Sequence, residues 1–142
     1  MGPLADAEAV LFDLDDTLLD YTAARDAGFA TWIAERDPAR SPDDLSEWQV
    51  LEDRHFRRYS AGEISFGEQR RARLRAFWPQ LSGAPEAELD EVYETYVVHM
   101  EAAWAAVPHA AEVVQALAAR MPVGVLTTLR GVPMMLWLLR RP

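Results

Sequence analysis

Neither cysteine nor lysine occurs anywhere in the 142 residues of this chain. Without cysteine there are no disulfides and no thiolate metal sites, and nothing points to an oxidising compartment, so a cytoplasmic location is expected. Long apolar runs are missing as well. The opening MGPLADAEA has neither a basic region nor an apolar stretch, which predicts no secretory leader. Residues 134–139, the longest late apolar run, are too short to span a bilayer. No internal repeat and no low-complexity segment interrupts the pattern. Basic charge is scarce, because the 14 basic residues, all arginine, face 23 acids for a net charge of −9. That surplus repels nucleic-acid phosphates and anionic lipid, so neither nucleic acid nor a membrane is an expected partner. The charge is also uneven: residues 129–142 carry Arg130, Arg140 and Arg141 and no acid.

What the chain has in quantity is apolar side chains, 50% of the residues, enough for one domain with a core and a possible subdomain. Residues 9–14 read as a short buried strand that ends in acids. From 21 to 36, Ala24, Ala27, Phe29, Ala30, Trp32 and Ile33 suit a helix closed by Asp37-Pro38. Ser41 then caps a second helix with Pro42 in its first turn, and Trp48, Leu51, His55, Phe56 and Tyr59 follow at helical spacing. Ser65 stands three residues before Glu68 as in a capping box, opening a third helix that runs to about Trp78. Leu89, Val92, Tyr93, Tyr96, Val97 and Met100 mark a fourth within 86–104, and 110–120 makes a fifth. PVGVLT, 122–127, is a second buried strand of the parallel type. The order predicts an α/β chain in which two parallel strands are joined by a crossover holding a large helical insertion.

The first strand runs into VLFDLDDTLLD, residues 10–20. If the strand geometry continues, Asp13 and Asp15 project to one side, roughly 6.6 Å apart at Cα, with Leu14 turned to the core. At an effective dielectric of about 20 two such charges repel by about 2.5 kcal/mol. Either a cation lies between them or one is partly protonated, and both conditions serve phosphoryl transfer. An aspartate-rich turn bonding nearby amides is the plainer reading. A calcium loop is excluded: with Asp13 first, Leu18 falls where the sharp-turn glycine belongs and Ala24 where the bidentate glutamate belongs. His55, His99 and His109 lack metal-ligand spacing, and the tryptophans fall mostly at helical spacing, so packing or surface roles are expected for both.

Strand plus FDLDDTLLD resembles the first motif of the haloacid dehalogenase-like (HAD) hydrolases, and 122–127 is similar to their second, an apolar strand ending in Thr or Ser. The helices between resemble the family's C1 cap, and GEISFGEQRRARL, 62–74, is similar to the Gly-x-Ile-Ser segment and following arginine of its pyrimidine 5′-nucleotidase-like branch. The resemblance implies a partial Rossmann-like core from 1–20 and 105–128, a helical cap from 21–104, and an atypical tail at 129–142. It implies a Mg²⁺-dependent phosphatase of small phosphorylated metabolites. In that scheme Asp13 is the nucleophile and a metal ligand; Asp15 is the acid and base, with its carbonyl on the metal. Thr127 bonds the transferring phosphoryl group, and Arg73 meets a substrate anion. For Arg73 the rival is a solvated face shared with Arg70, Arg71 and Arg75. Asp16 and Asp20 also match motif positions, with turn capping as the rival role. An acid at the Asp15 position favours a phosphatase over a dehalogenase; a phosphomutase, or an inactive remnant that binds through the acid pocket, would share the same motif.

The family's later motifs need a lysine or arginine and then further acids, but this chain has no lysine, and no Asp or Glu after Glu112. Thr128 stands where Asn is usual, and LRGVPMMLWLLRRP replaces the expected helix. These departures predict the N-terminal portion of a HAD phosphatase, truncated or frameshifted after the second motif.

Overall fold

The computed structural model describes residues 7–127 and 135–139. Strand β1, Val10–Phe12, pairs in parallel with β2, Val123–Thr127, in the register Val10↔Val123, Leu11↔Gly124 and Phe12↔Val125. A third strand, β3, Met135–Leu139, pairs antiparallel with β2 from Val123↔Leu139 to Thr127↔Met135, so the sheet order is β1-β2-β3. The sequence reading expects two strands and assigns these five residues to a tail. Their run is continuous rather than alternating, so its period does not announce a strand, yet it supplies the partner for the second edge of β2. Residues 128–134 and 140–142 of that tail lie outside the described residues.

The described residues also form five α-helices: α1 Tyr21–Arg36, α2 Leu45–Ser60, α3 Phe66–Phe77, α4 Glu86–Ala102 and α5 Ala110–Ala118. Two of the helical segments open on the expected caps. Ser41 accepts from the Asp43 amide and Asp44 reaches back to the Ser41 amide, making a 3₁₀ turn over Pro42–Asp44 before α2. At α3, Ser65 accepts from the Glu68 amide at 3.2 Å and Glu68 accepts from the Ser65 amide at 2.7 Å, a reciprocal box that satisfies two otherwise orphaned N–H groups. No helix among the described residues is long and apolar enough to cross a membrane.

By contact the chain divides into two compact units, Met1–Thr22 with Trp104–Pro142, and Ala23–Ala103. The second is an aromatic-centred helical bundle. Phe29 and Trp32 of α1, Trp48 of α2, Phe77 of α3, the adjoining Trp78, and Tyr93 and Tyr96 of α4 are all buried. Their ring centroids stand 5.2 Å apart for Trp32–Trp48 and for Trp48–Phe77. Polar ends are paired: Trp32 Nε1 donates to Thr95 Oγ1 at 2.8 Å and Trp78 Nε1 to Asp37 Oδ2 at 2.9 Å. At Gly28 α1 approaches α4 so closely that a Cβ would stand 2.6 Å from Met100 Cα. In the first unit, the three-stranded sheet and α5 bury little. Among the described residues every buried apolar side chain except Val123 belongs to the second unit, and Leu11 and Val113 remain about half exposed.

Candidate active site

The strand that leads to the acids stops sooner than expected. β1 ends at Phe12, so Asp13 is already beyond the sheet and residues 14–19 form a turn rather than continuing the alternation. The cause is the carbonyl of Leu14, which accepts the amides of Thr17 at 3.3 Å and of Leu18 and Leu19 at 3.0 Å. A carbonyl so engaged bends the chain into a helical turn and leaves Leu14 half-buried rather than a core residue. Asp15 forms an isolated bridge with Leu19, and the Asp16 amide donates to the Leu19 carbonyl at 2.7 Å. The turn is anchored on its far side: Asp20 N donates to Ala105 O at 2.9 Å and Val107 N to Leu18 O at 3.0 Å.

Asp13, just before this turn, and Asp15, within it, are both exposed. Asp16 takes the role the plainer reading reserves for an aspartate. Its Oδ1 accepts from the Thr22 amide and its Oδ2 from the Thr22 hydroxyl, both at 2.8 Å, at the start of α1. Its backbone sits in the left-handed region at φ 56°, where aspartate is among the few tolerated residues other than glycine. Thr22 carries no motif signal of its own; only its place in the first helical turn, six residues after Asp16, hints at the pairing.

Thr127 ends β2. Because β1 and β2 are parallel and Phe12 pairs with Val125, Asp13 and Thr127 leave the sheet at the same edge, the carboxyl edge where α/β sheets bind ligands. The side chain of Thr127 lies outside the described residues, as does Thr128.

Arg73 is placed in the interior of the helical unit, wholly enclosed. Its guanidinium lies 3.8 Å from the centre of the Trp48 ring, donates to Tyr93 OH at 3.1 Å, and pairs with Glu52 at 3.2 Å. The solvated-face reading therefore fails for Arg73. An anion arriving from solvent would have to compete with Glu52. Arg71, by contrast, is on the surface, bridging to Glu86 and Asp90 at 2.7 Å each. Glu52 carries no signal in the sequence motifs, although Glu52 on α2 and Arg73 on α3 share faces with the buried Trp48 and Phe77. Tyr93 is pushed up in pKa by its burial. Of the histidines, His55 is buried, with neither ring nitrogen hydrogen-bonded, and is held below its ordinary pKa first by burial and then by Arg58, Arg54 and Arg73.

Carboxylate oxygens on an exposed turn are the hard donors that Mg²⁺ takes one or two at a time, with water and phosphate oxygens completing the shell. The exposed Asp13 carboxylate fits that donor set, and the Asp15 carbonyl could add a second oxygen. Among the described residues no group of three or more His, Asp or Glu is gathered closely enough to hold a metal ion.

A family model described as haloacid dehalogenase-like hydrolase matches residues 7–133. The chain belongs to the HAD-like hydrolases. Its fold agrees with a partial HAD-like α/β core bearing inserted helices. Among solved structures it is similar to YfnB from Bacillus subtilis, a HAD-hydrolase crystallised with magnesium. The two are 19% identical with a TM-score of 0.71, over 84% of this chain and 52% of YfnB. The likeness is one of fold, and this HAD-like chain spans about half the length of that structure. None of the curated proteins matches the chain in sequence.

Proposed function

We propose that this HAD-like chain carries the nucleophilic half of a Mg²⁺-dependent phosphomonoester hydrolase, acting on a small phosphorylated metabolite in the cytoplasm. The observation that supports it is the exposure of Asp13 and Asp15 immediately past the carboxyl end of a strand in a parallel pair, at the edge where Thr127 also emerges. The first unit serves as core and the helical unit, 23–103, as cap. Arg73, already paired with Glu52, is assigned to holding that cap together.

In the first step a carboxylate oxygen of Asp13 attacks phosphorus, forming an acyl phosphate while the ester oxygen departs with a proton from Asp15. In the second, Asp15, now a carboxylate, takes a proton from the water that attacks the same phosphorus; inorganic phosphate leaves and Asp13 is restored. The Thr127 hydroxyl donates to the phosphoryl oxygens during both transfers. The Asp13 carboxylate and the Asp15 carbonyl would hold Mg²⁺, which would supply positive charge that offsets the repulsion between carboxylate and phosphate. YfnB, the similar fold, was crystallised with that metal.

Phosphate release from an aryl phosphate is the direct test. Release that requires Mg²⁺, is lost in Asp13→Asn and is lowered about 10²–10⁴-fold in Asp15→Asn is expected. Equal release by Asp13→Asn would rule the mechanism out. Halide release or isomer formation in place of phosphate would point instead to a dehalogenase or a mutase.

A further inference from the structure

Four aspartates fall within residues 13–20, and one of them is held differently from the pair assigned to chemistry. Asp16 grips the first turn of α1 with both carboxylate oxygens, one on the Thr22 amide and one on the Thr22 hydroxyl, at 2.8 Å each. Its own backbone stands at φ 56°. Rotation about that bond sets the plane of the Asp15–Asp16 peptide, and with it the direction of the Asp15 carbonyl. The Asp16 amide is tied to Leu19 O at 2.7 Å, and Asp15 pairs with Leu19, so the conformation of residue 16 is transmitted to both sides of Asp15. The Leu14 carbonyl, gathering three amides, transmits it back toward Asp13.

We propose that Asp16 is a positioning residue of this acid turn. Through its two bonds to Thr22 it locks a left-handed backbone that fixes where Asp13 and Asp15 are presented. The inference rests on the phosphatase reading for its consequence in catalysis, but the lock itself is a property of the turn. A carboxylate is suited to it on two counts: it tolerates the left-handed region, and it offers two acceptors for the two donors of one threonine. Asparagine can keep the lock, with its carbonyl on the Thr22 amide and its NH₂ on the hydroxyl oxygen. Glycine keeps only the backbone freedom, and alanine keeps neither.

The test is amide hydrogen exchange across residues 14–22 of the full chain, read beside Mg²⁺-dependent phosphate release. In Asp16→Ala and Asp16→Gly the amides of Asp16, Thr17, Leu18 and Leu19 are expected to lose protection while those of α4 keep theirs, and Asp16→Asn is expected to retain it. The kcat of the alanine variant should fall about a hundredfold with KM nearly unchanged, as displaced reacting groups do, and asparagine should restore most of it. Unchanged protection of the turn in Asp16→Ala overturns the proposal. Should Asp16→Ala unfold, losing protection in α4 too, Thr22→Val decides. Lost protection confined to the turn supports the lock; full protection overturns it. If the turn loosens as expected but the wild-type chain releases no phosphate, the lock stands and the phosphatase reading fails.

Discussion

Arg73 puts a full charge among aromatic rings, and its neighbours show how that charge is tolerated. Glu52 supplies the counter-charge, Tyr93 an acceptor, and Trp48 a π-face. Removing one partner of such a buried pair leaves the other uncompensated. Arg73→Met should therefore cost about 3–5 kcal/mol in urea unfolding, whereas Arg73→Met combined with Glu52→Leu should cost much less. His55 makes a separate prediction. Burial holds its folded pKa below the ordinary value near 6.5, so the unfolded chain binds the extra proton first. Its contribution to stability is complete above about pH 6.5 and declines as pH falls through that value toward the depressed folded pKa. Melting temperatures taken across this range should fall with acid, and His55→Leu should flatten that part of the profile.

Helices were the most legible elements, because their ends are written in local chemistry. Ser41-Pro42 and the Ser65–Glu68 box open helical segments where the sequence places them, and the pattern from Leu89 to Met100 buries the expected face of α4 apart from the half-buried Val97. On α1 the pattern misplaces one position: Ala27 is exposed and Gly28 is buried, since what α4 meets there is backbone and not a side chain. Gly28→Ala tests this packing. Alanine is the better helix former by about 1 kcal/mol. Yet its Cβ would stand 2.7 Å from Met100 N, so a net loss of about 1–3 kcal/mol from overpacking is expected in urea melts. The strands were less legible. β3 has no periodic signature, and β1 is cut short by the Leu14 carbonyl, a backbone effect that side-chain patterns do not reveal. The acid motif itself was plain in the sequence. The partners Thr22 and Glu52 were not, since each is joined to its mate only by folding.

At the scale of the whole molecule, apolar burial is concentrated in one of its two units. The helical unit encloses the aromatic cluster, while Val123 alone represents the first unit among the buried apolar side chains described. Cooperative resistance to opening follows buried apolar contacts. Amides of β1 and β2 should therefore exchange faster than those of α2, α3 and α4 under native conditions, and equal rates would show that the sheet is stabilised by something other than burial. The acids of the first unit are nevertheless exposed just past the carboxyl end of β1, and it is there that we propose a phosphate ester reacts. The most direct measurement is to mix the chain with Mg²⁺ and an aryl phosphate, quench in acid, and map any phosphorylated residue by mass spectrometry. A hydroxylamine-labile phosphate on Asp13, absent in Asp13→Asn, is the expected result. Phosphate on any other residue, or release of product in Asp13→Asn with no phosphorylated Asp13 in the wild type, would contradict the assignment of Asp13 as nucleophile.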